Sequence, residues 1–136
     1  MRYLLDTSAL LAHYRQEAGW EQVQALFEQE GAELYLCALS LTEFGRRLYE
    51  LGAAPLDVEE VLRDYGALFE ELVMVDEQVA RRALEITRRA SGRLPLIDSL
   101  IAAAAAEREA VLVHRDHHLR VVPPEVLQGL DLTPTP

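Results

Sequence analysis

The chain opens "MRYLLDTSALL", Met1 to Leu11, and this stretch poses a physical problem. An apolar run of strand length, Arg2–Asp6, ends on a carboxylate, with Thr7 and Ser8 directly behind it. A charge at the rim of a core costs desolvation free energy unless a partner offsets it. Three further runs have strand character: Glu33–Ala38 ("ELYLCA"), Leu72–Asp76 ("LVMVD") and Ala110–His114 ("AVLVH"). A weaker fifth, "LRVVP", covers Leu119–Pro123. Most are continuously apolar rather than alternating, as in strands covered on both faces. Helical spacing of apolar residues recurs between them over Trp20–Gln29, Leu41–Leu51, residues 55–69, Val79–Arg89 and Leu96–Glu107. Strands alternating with helices predict an α/β class, a three-layer α/β/α sandwich around a parallel sheet of four to five strands. With no internal repeat or linker, residues 1–136 read as one domain, with the tail "GLDLTPTP" expected to fray from about residue 129.

Composition narrows the chemistry. Every one of the 13 basic residues is Arg; the chain contains no Lys, which excludes a P-loop lysine, a Schiff base and a lysine-dependent phosphoryl switch. The formal net charge is −10 and falls mostly on the first half, where residues 1–75 carry 5 Arg against 14 acids. So acidic a chain is no general nucleic-acid coat, and any phosphate-bearing substrate must be met by local Arg or a bound cation. No apolar run approaches the roughly 20 residues of a membrane span. The start does not read as a secretory signal, and the single Cys37 forms no internal disulfide, so a cytoplasmic location is expected.

Four acids converge on one predicted edge. Ligands of open parallel sheets bind beyond the carboxyl ends of the strands. Asp6 ends the first strand there, and Asp116 follows the fourth in "VLVHRD". Glu43 lies in the first turn of the helix after the second strand, and Asp98 starts the helix "LPLIDSLIAAAAAE". Each also has a local reading. Asp6 caps a helix, Ser40 to Glu43 fits a capping box, Asp98 complements a helix dipole and Asp116 is a turn acid. Asp76 reads as a cap for Val79–Arg89 and nothing more. Jointly, four neighbouring carboxylates repel, and a divalent cation removes that penalty; all-oxygen ligands suit Mg²⁺ or Mn²⁺. The alanine run Ala102–Ala106 lets its helix approach the sheet closely and holds Asp98 near the first strand.

In order, "LLDTSALL", "LSLTEF", "LPLIDSLIAAAA" and "VLVHRDHHL" resemble the PIN-domain family, and within it the VapC-type toxins of toxin–antitoxin pairs. The resemblance runs from Met1 to about Val122. It implies a PIN-like sandwich and a Mg²⁺- or Mn²⁺-dependent endoribonuclease, with in-line attack by water and departure of the 3′ oxygen. It implies that Asp6, Glu43, Asp98 and Asp116 form the acidic catalytic and metal-binding pocket, with Asp6 and Asp98 as direct ligands. Ser8 matches a small polar position that orients the pocket. Many relatives carry Thr or Ser where this chain has His114; the imidazole either takes over that orienting task or marks an altered site. A cognate antitoxin and a homodimer are implied too. The alternatives are a stand-alone PIN RNA-processing nuclease and a non-catalytic PIN-like module binding RNA or protein.

Arg46, Arg47 and Arg115 are the candidates for holding RNA phosphates, whereas Arg81, Arg82, Arg88, Arg89 and Arg93 read as a solvated face paired with glutamates. Tyr14, Trp20 and Tyr49 read either as base-stacking or as packing residues. The segment "HRDHH", His114 to His118, matches no standard zinc spacing. Adjacent His117 and His118 are expected to point apart on an extended segment, which favours a solvated turn.

Overall fold

The computed structural model describes residues 1–135. Five strands form one parallel sheet: β1 (Arg2–Leu5), β2 (Glu33–Cys37), β3 (Glu71–Val73), β4 (Val111–His114) and β5 (Gly129–Asp131). Their order across the sheet is β3-β2-β1-β4-β5, so the chain builds outward from β1 in one direction and then returns to the other side. That reversal makes a switch point between β1 and β4. There the connections leave β1 and β4 toward opposite faces of the sheet, opening a crevice at the carboxyl edge.

Side-chain alternation divides the core between the two faces. Leu5, Leu34, Leu36 and Val113 pack under α1 (Thr7–Arg15), α2 (Trp20–Glu28), α3 (Ala38–Glu50) and α4 (Pro55–Gly66), where Val23, Phe44, Leu48 and Val58 are all but fully buried. On the other face Leu4, Tyr35, Cys37, Val73 and Leu112 meet α5 (Glu77–Arg89) and α6 (Leu96–Glu107). Ala102 to Ala105 are all fully buried, in the cluster that joins α6 to α5 and to the sheet. Cys37 is a buried free thiol that packs in the strand, as expected. The three layers and the parallel sheet agree with the expected sandwich.

Three local expectations change. The segment Leu119–Pro123 is not a strand: His117–Val121 form a 3-10 helix, η1, capped by Asp116, with Leu119 turned into the core. The fifth strand lies instead in the stretch expected to fray, where Gly129–Asp131 pair with Leu112–His114 and Leu132 is 3% exposed. A three-residue strand containing glycine carries no periodic signal, and its partner supplies the stability. Helix α3 begins at Ala38, directly after β2, so Ser40 lies inside it and the expected capping box does not form. Residue 19 explains why Leu132 docks: Gly19 sits at φ 97°, and a Cβ there would come within 2.8 Å of Leu132 Cβ. Asp76 behaves as expected, accepting from Val79 N–H at 2.9 Å.

Truncating Leu132 to Ala is expected to cost roughly 2–4 kcal/mol in denaturant-induced unfolding, the range for a buried leucine. A frayed tail would show no such loss.

Candidate functional site

Asp6 caps α1. Ser8 donates to its Oδ2 from both the backbone N–H, at 3.1 Å, and the hydroxyl. The Ser8 hydroxyl oxygen in turn accepts from Arg115 N–H at 2.9 Å, which ties the start of α1 to the segment after β4. Asp6 N–H donates to Val113 O at 2.9 Å, continuing the β1–β4 ladder to the rim. Asp6 is therefore fixed by strand and helix at once, and it is 3% exposed.

Glu43 reaches the same edge from the second turn of α3, where Thr7 Oγ1 donates to its Oε1 at 2.7 Å. Thr7 Oγ1 also lies 3.0 Å from Ser40 Oγ, so the two hydroxyls form a short chain behind the carboxylate. Thr7 was visible in the sequence only as a neighbour of Asp6. Its role follows from register, because the first residue of α1 turns toward α3. Asp98 projects from the first turn of α6. Asp116 caps η1, accepting from His118 N–H at 2.9 Å on Oδ1. Both local and joint readings hold for Asp6 and Asp116, since each caps a helix and stands in the shared cluster.

Electrostatics show the convergence. Burial pushes Asp6 up to about 6, with Asp116 and Glu43 adding repulsion and the Ser8 hydrogen bonds opposing it. Burial pushes Asp98 up to about 7, with repulsion from Asp116, Asp6 and Glu43 adding to it. Asp98 differs in kind, because no hydrogen bond lowers it. It is a partly buried carboxylate facing three others with nothing to neutralise it but the weak pull of His118. Such a donor set, oxygen-only and short of positive charge, fits a hard divalent cation.

The other expected residues are placed less centrally. His114 is buried, and its Nδ1 accepts from Asp116 N–H at 3.3 Å, so it orients the backbone at Asp116. Its ring faces Gly129 and lines a cavity of about 250 Å³ with Arg120, Gln128 and Asp131. Burial lowers its pKa, which favours a neutral ring. Arg47 pairs with Glu50 at 2.9 Å, and the Arg115 guanidinium is 3.9 Å from Glu17. Arg46 is exposed. Arg81, Arg82 and Arg88 pair with Glu77, Glu107 and Glu85, the solvated face expected. Tyr14 packs edge-on against Phe44 and Tyr65, and Trp20 edge-on against His13; Tyr49 is 51% exposed.

With this geometry, comparison with known proteins is informative. The PIN domain family model matches residues 3–123. The chain belongs to the PIN domain family. That match takes in all four acids of the PIN domain edge. No curated protein sequence matches the chain. Among solved structures, this PIN domain is similar to VapBC2 from Rickettsia felis bound to a promoter DNA fragment, with TM-score 0.75 and 15% identity over 96% of this chain and 98% of that one. It is also similar to FitAcB from Neisseria gonorrhoeae, with TM-score 0.73 and 20% identity over 97% and 98%. A toxin–antitoxin complex from Klebsiella pneumoniae gives TM-score 0.73 and 16% identity over 98% and 99%. At these identities the likeness is one of fold.

The raised carboxyls carry a stability consequence. The folded chain holds the Asp6 and Asp98 protons more tightly than the unfolded chain, so their contribution is full below about pH 4 and is lost as pH rises through about 6 and about 7. In chelator, Asp98→Asn is expected to be more stable than the unmodified chain at pH 8, by roughly 1–2 kcal/mol after allowance for solvent screening. The gap should close toward pH 4, as read by thermal melts across the series.

Proposed function

We propose that this PIN domain is a metal-dependent endoribonuclease of the VapC type, the toxin of a toxin–antitoxin pair. One observation carries the reading: Asp6 and Asp98 are raised by burial and by repulsion from neighbouring carboxylates at a topological switch point, where among the described residues no Arg pairs with either. Asp6 and Asp98 would hold Mg²⁺ or Mn²⁺, with Glu43 and Asp116 completing the shell or orienting the attacking water. When bound, the ion supplies Lewis acidity toward a phosphoryl oxygen and lowers the pKa of water.

The residues divide the remaining work. Ser8 fixes the direction of the Asp6 carboxylate through two donors, and Thr7 does the same for Glu43. Both are preorganised before any substrate arrives, so little reorganisation remains for the reaction itself. Arg46, on the exposed side of α3, would meet RNA phosphate, and Arg47 and Arg115 would exchange their glutamate partners for it. A net charge of −10 makes such local contacts necessary.

The same uncompensated pocket suits an arginine from an antitoxin segment, since a guanidinium and a divalent cation answer the same field. A homodimer is supported by Leu84 and Leu96, which are 73% and 72% exposed beside the buried Leu94 and the partly buried Leu100 between α5 and α6. Among the described residues no helix is long and apolar enough to cross a membrane, and a cytoplasmic location is part of the proposal.

Asp6→Asn and Asp98→Asn are each expected to reduce RNA cleavage by a factor of at least roughly 10³ with the fold retained by circular dichroism. Excess chelator should do the same to the unmodified chain. Undiminished cleavage in any of these would remove the proposal, and metal-independent RNA binding without cleavage would favour a non-catalytic module. Leu84→Glu is expected to shift sedimentation from dimer to monomer.

A further inference from the structure

The chain has four histidines and one cysteine, and three of these five side chains are unavailable to solvent ions. His13 has both ring nitrogens engaged, Nδ1 at 2.6 Å from the Tyr65 hydroxyl and Nε2 at 2.7 Å from Gln24 Oε1. His114 is 4% exposed and Cys37 is fully buried. That leaves His117 and His118, whose side chains are 74% and 50% exposed.

An extended segment would send these two rings to opposite sides. The turn of η1 does otherwise. Their ring centroids lie 4.1 Å apart with planes inclined by 35°. Both Nδ1 atoms face the same oxygen, Asp116 Oδ1, at 3.9 Å from His117 and 3.0 Å from His118. Ligand atoms of Asp116, His117 and His118 all lie within 4.8 Å of one another, and no other such group of His, Cys, Asp and Glu occurs among the described residues.

Those separations suit a shared ion. Metal–ligand bonds of about 2.1 Å place ligand atoms roughly 3.0 Å apart at a right angle and roughly 4.2 Å apart when opposed. The distances of 3.0 and 3.9 Å from Oδ1 fall between these limits. The contacts described here all use Oδ1, so Oδ2 is not engaged in them. Asp116 Oδ1 faces the imidazoles, while the charge of the same carboxylate is felt at Asp6 and Asp98 in the acidic pocket. Imidazole donors are softer than carboxylates and favour the later first-row cations over Mg²⁺.

We infer that Asp116, His117 and His118 form a binding site for a first-row transition cation such as Co²⁺, Ni²⁺ or Zn²⁺, beside the oxygen-only pocket and distinct from it in donor type. Water fills the remaining coordination positions, since the site is open to solvent. The cation takes the place of the hydrogen bond between His118 Nδ1 and Asp116 Oδ1, and the neutral ring carries its single proton on Nε2 instead. The site shares Asp116 with the nuclease reading, but it concerns binding alone and is tested without cleavage.

The test uses full-length protein without a polyhistidine tag, titrated with Co²⁺ in excess Mg²⁺ and followed by calorimetry and visible absorption. One Co²⁺ per chain is expected, with a visible band that reports nitrogen ligation. The double variant His117→Ala/His118→Ala should weaken binding by at least roughly tenfold and remove the band; His117→Gln/His118→Gln serves as a second pair, with melts confirming the fold. Asp6→Asn should retain both affinity and band. Unchanged Co²⁺ affinity in the double variants overturns the inference. So does loss of binding in Asp6→Asn, which would put the ion in the oxygen-only pocket. Cleavage of RNA enters neither readout, so failure of the nuclease proposal leaves a separate signature.

Discussion

The repulsion among Asp6, Glu43, Asp98 and Asp116 is the constraint on which the rest of this molecule depends. Four segments far apart in sequence bring like charge to one rim, and folding must hold them there against their own field. The sheet order supplies the holding force. Because β1 is central and its neighbours β2 and β4 lead to opposite ends of the sheet, Asp6 lies where strands are buried on both sides and cannot drift. Every other acid is brought to that fixed point: Glu43 by α3, Asp98 by α6 and Asp116 by the first residues after β4.

Hydroxyls distribute the strain of this arrangement unequally. Asp6 accepts two hydrogen bonds from Ser8 and Glu43 one from Thr7, whereas no hydrogen bond lowers Asp98. The outcome is a graded set, with two carboxylates held by hydrogen bonds and a third, Asp98, raised to about 7 without one. Within such a cluster the least satisfied member gains most from a nearby cation.

Much of this was legible in the residues. The runs around Leu4, Leu36, Val73 and Val113 are continuously apolar because both faces of the sheet are covered, and that pattern survives without knowledge of any partner strand. Asp6 and Asp116 could be placed because each follows a strand end, and Glu43 and Asp98 because each lies near the start of a helix. What escaped was local and depended on partners. Gly129–Asp131 is a strand only because β4 offers its edge, and "LRVVP" fails to be one because Asp116 caps a turn that swings Leu119 inward. Ser40 looked like a cap, but α3 starts without a loop, so its hydroxyl answers Thr7 across a helix interface. The facing of His117 and His118 was misjudged for the same reason, since an extended segment and a 3-10 turn aim neighbouring rings differently.

The four fully buried alanines of α6 have a consequence beyond close approach. They leave no slack between helix and sheet, so the separation is set by methyl groups that cannot change rotamer to accommodate a larger neighbour. Enlarging any of them would act as a wedge, tilting the helix that bears Asp98 and opening the rim by the wedge's thickness. A purely steric edit deep in the interior would thus be read at the surface as a change in ion affinity, which ties the tolerance of the core to volume directly to the tuning of the charge cluster.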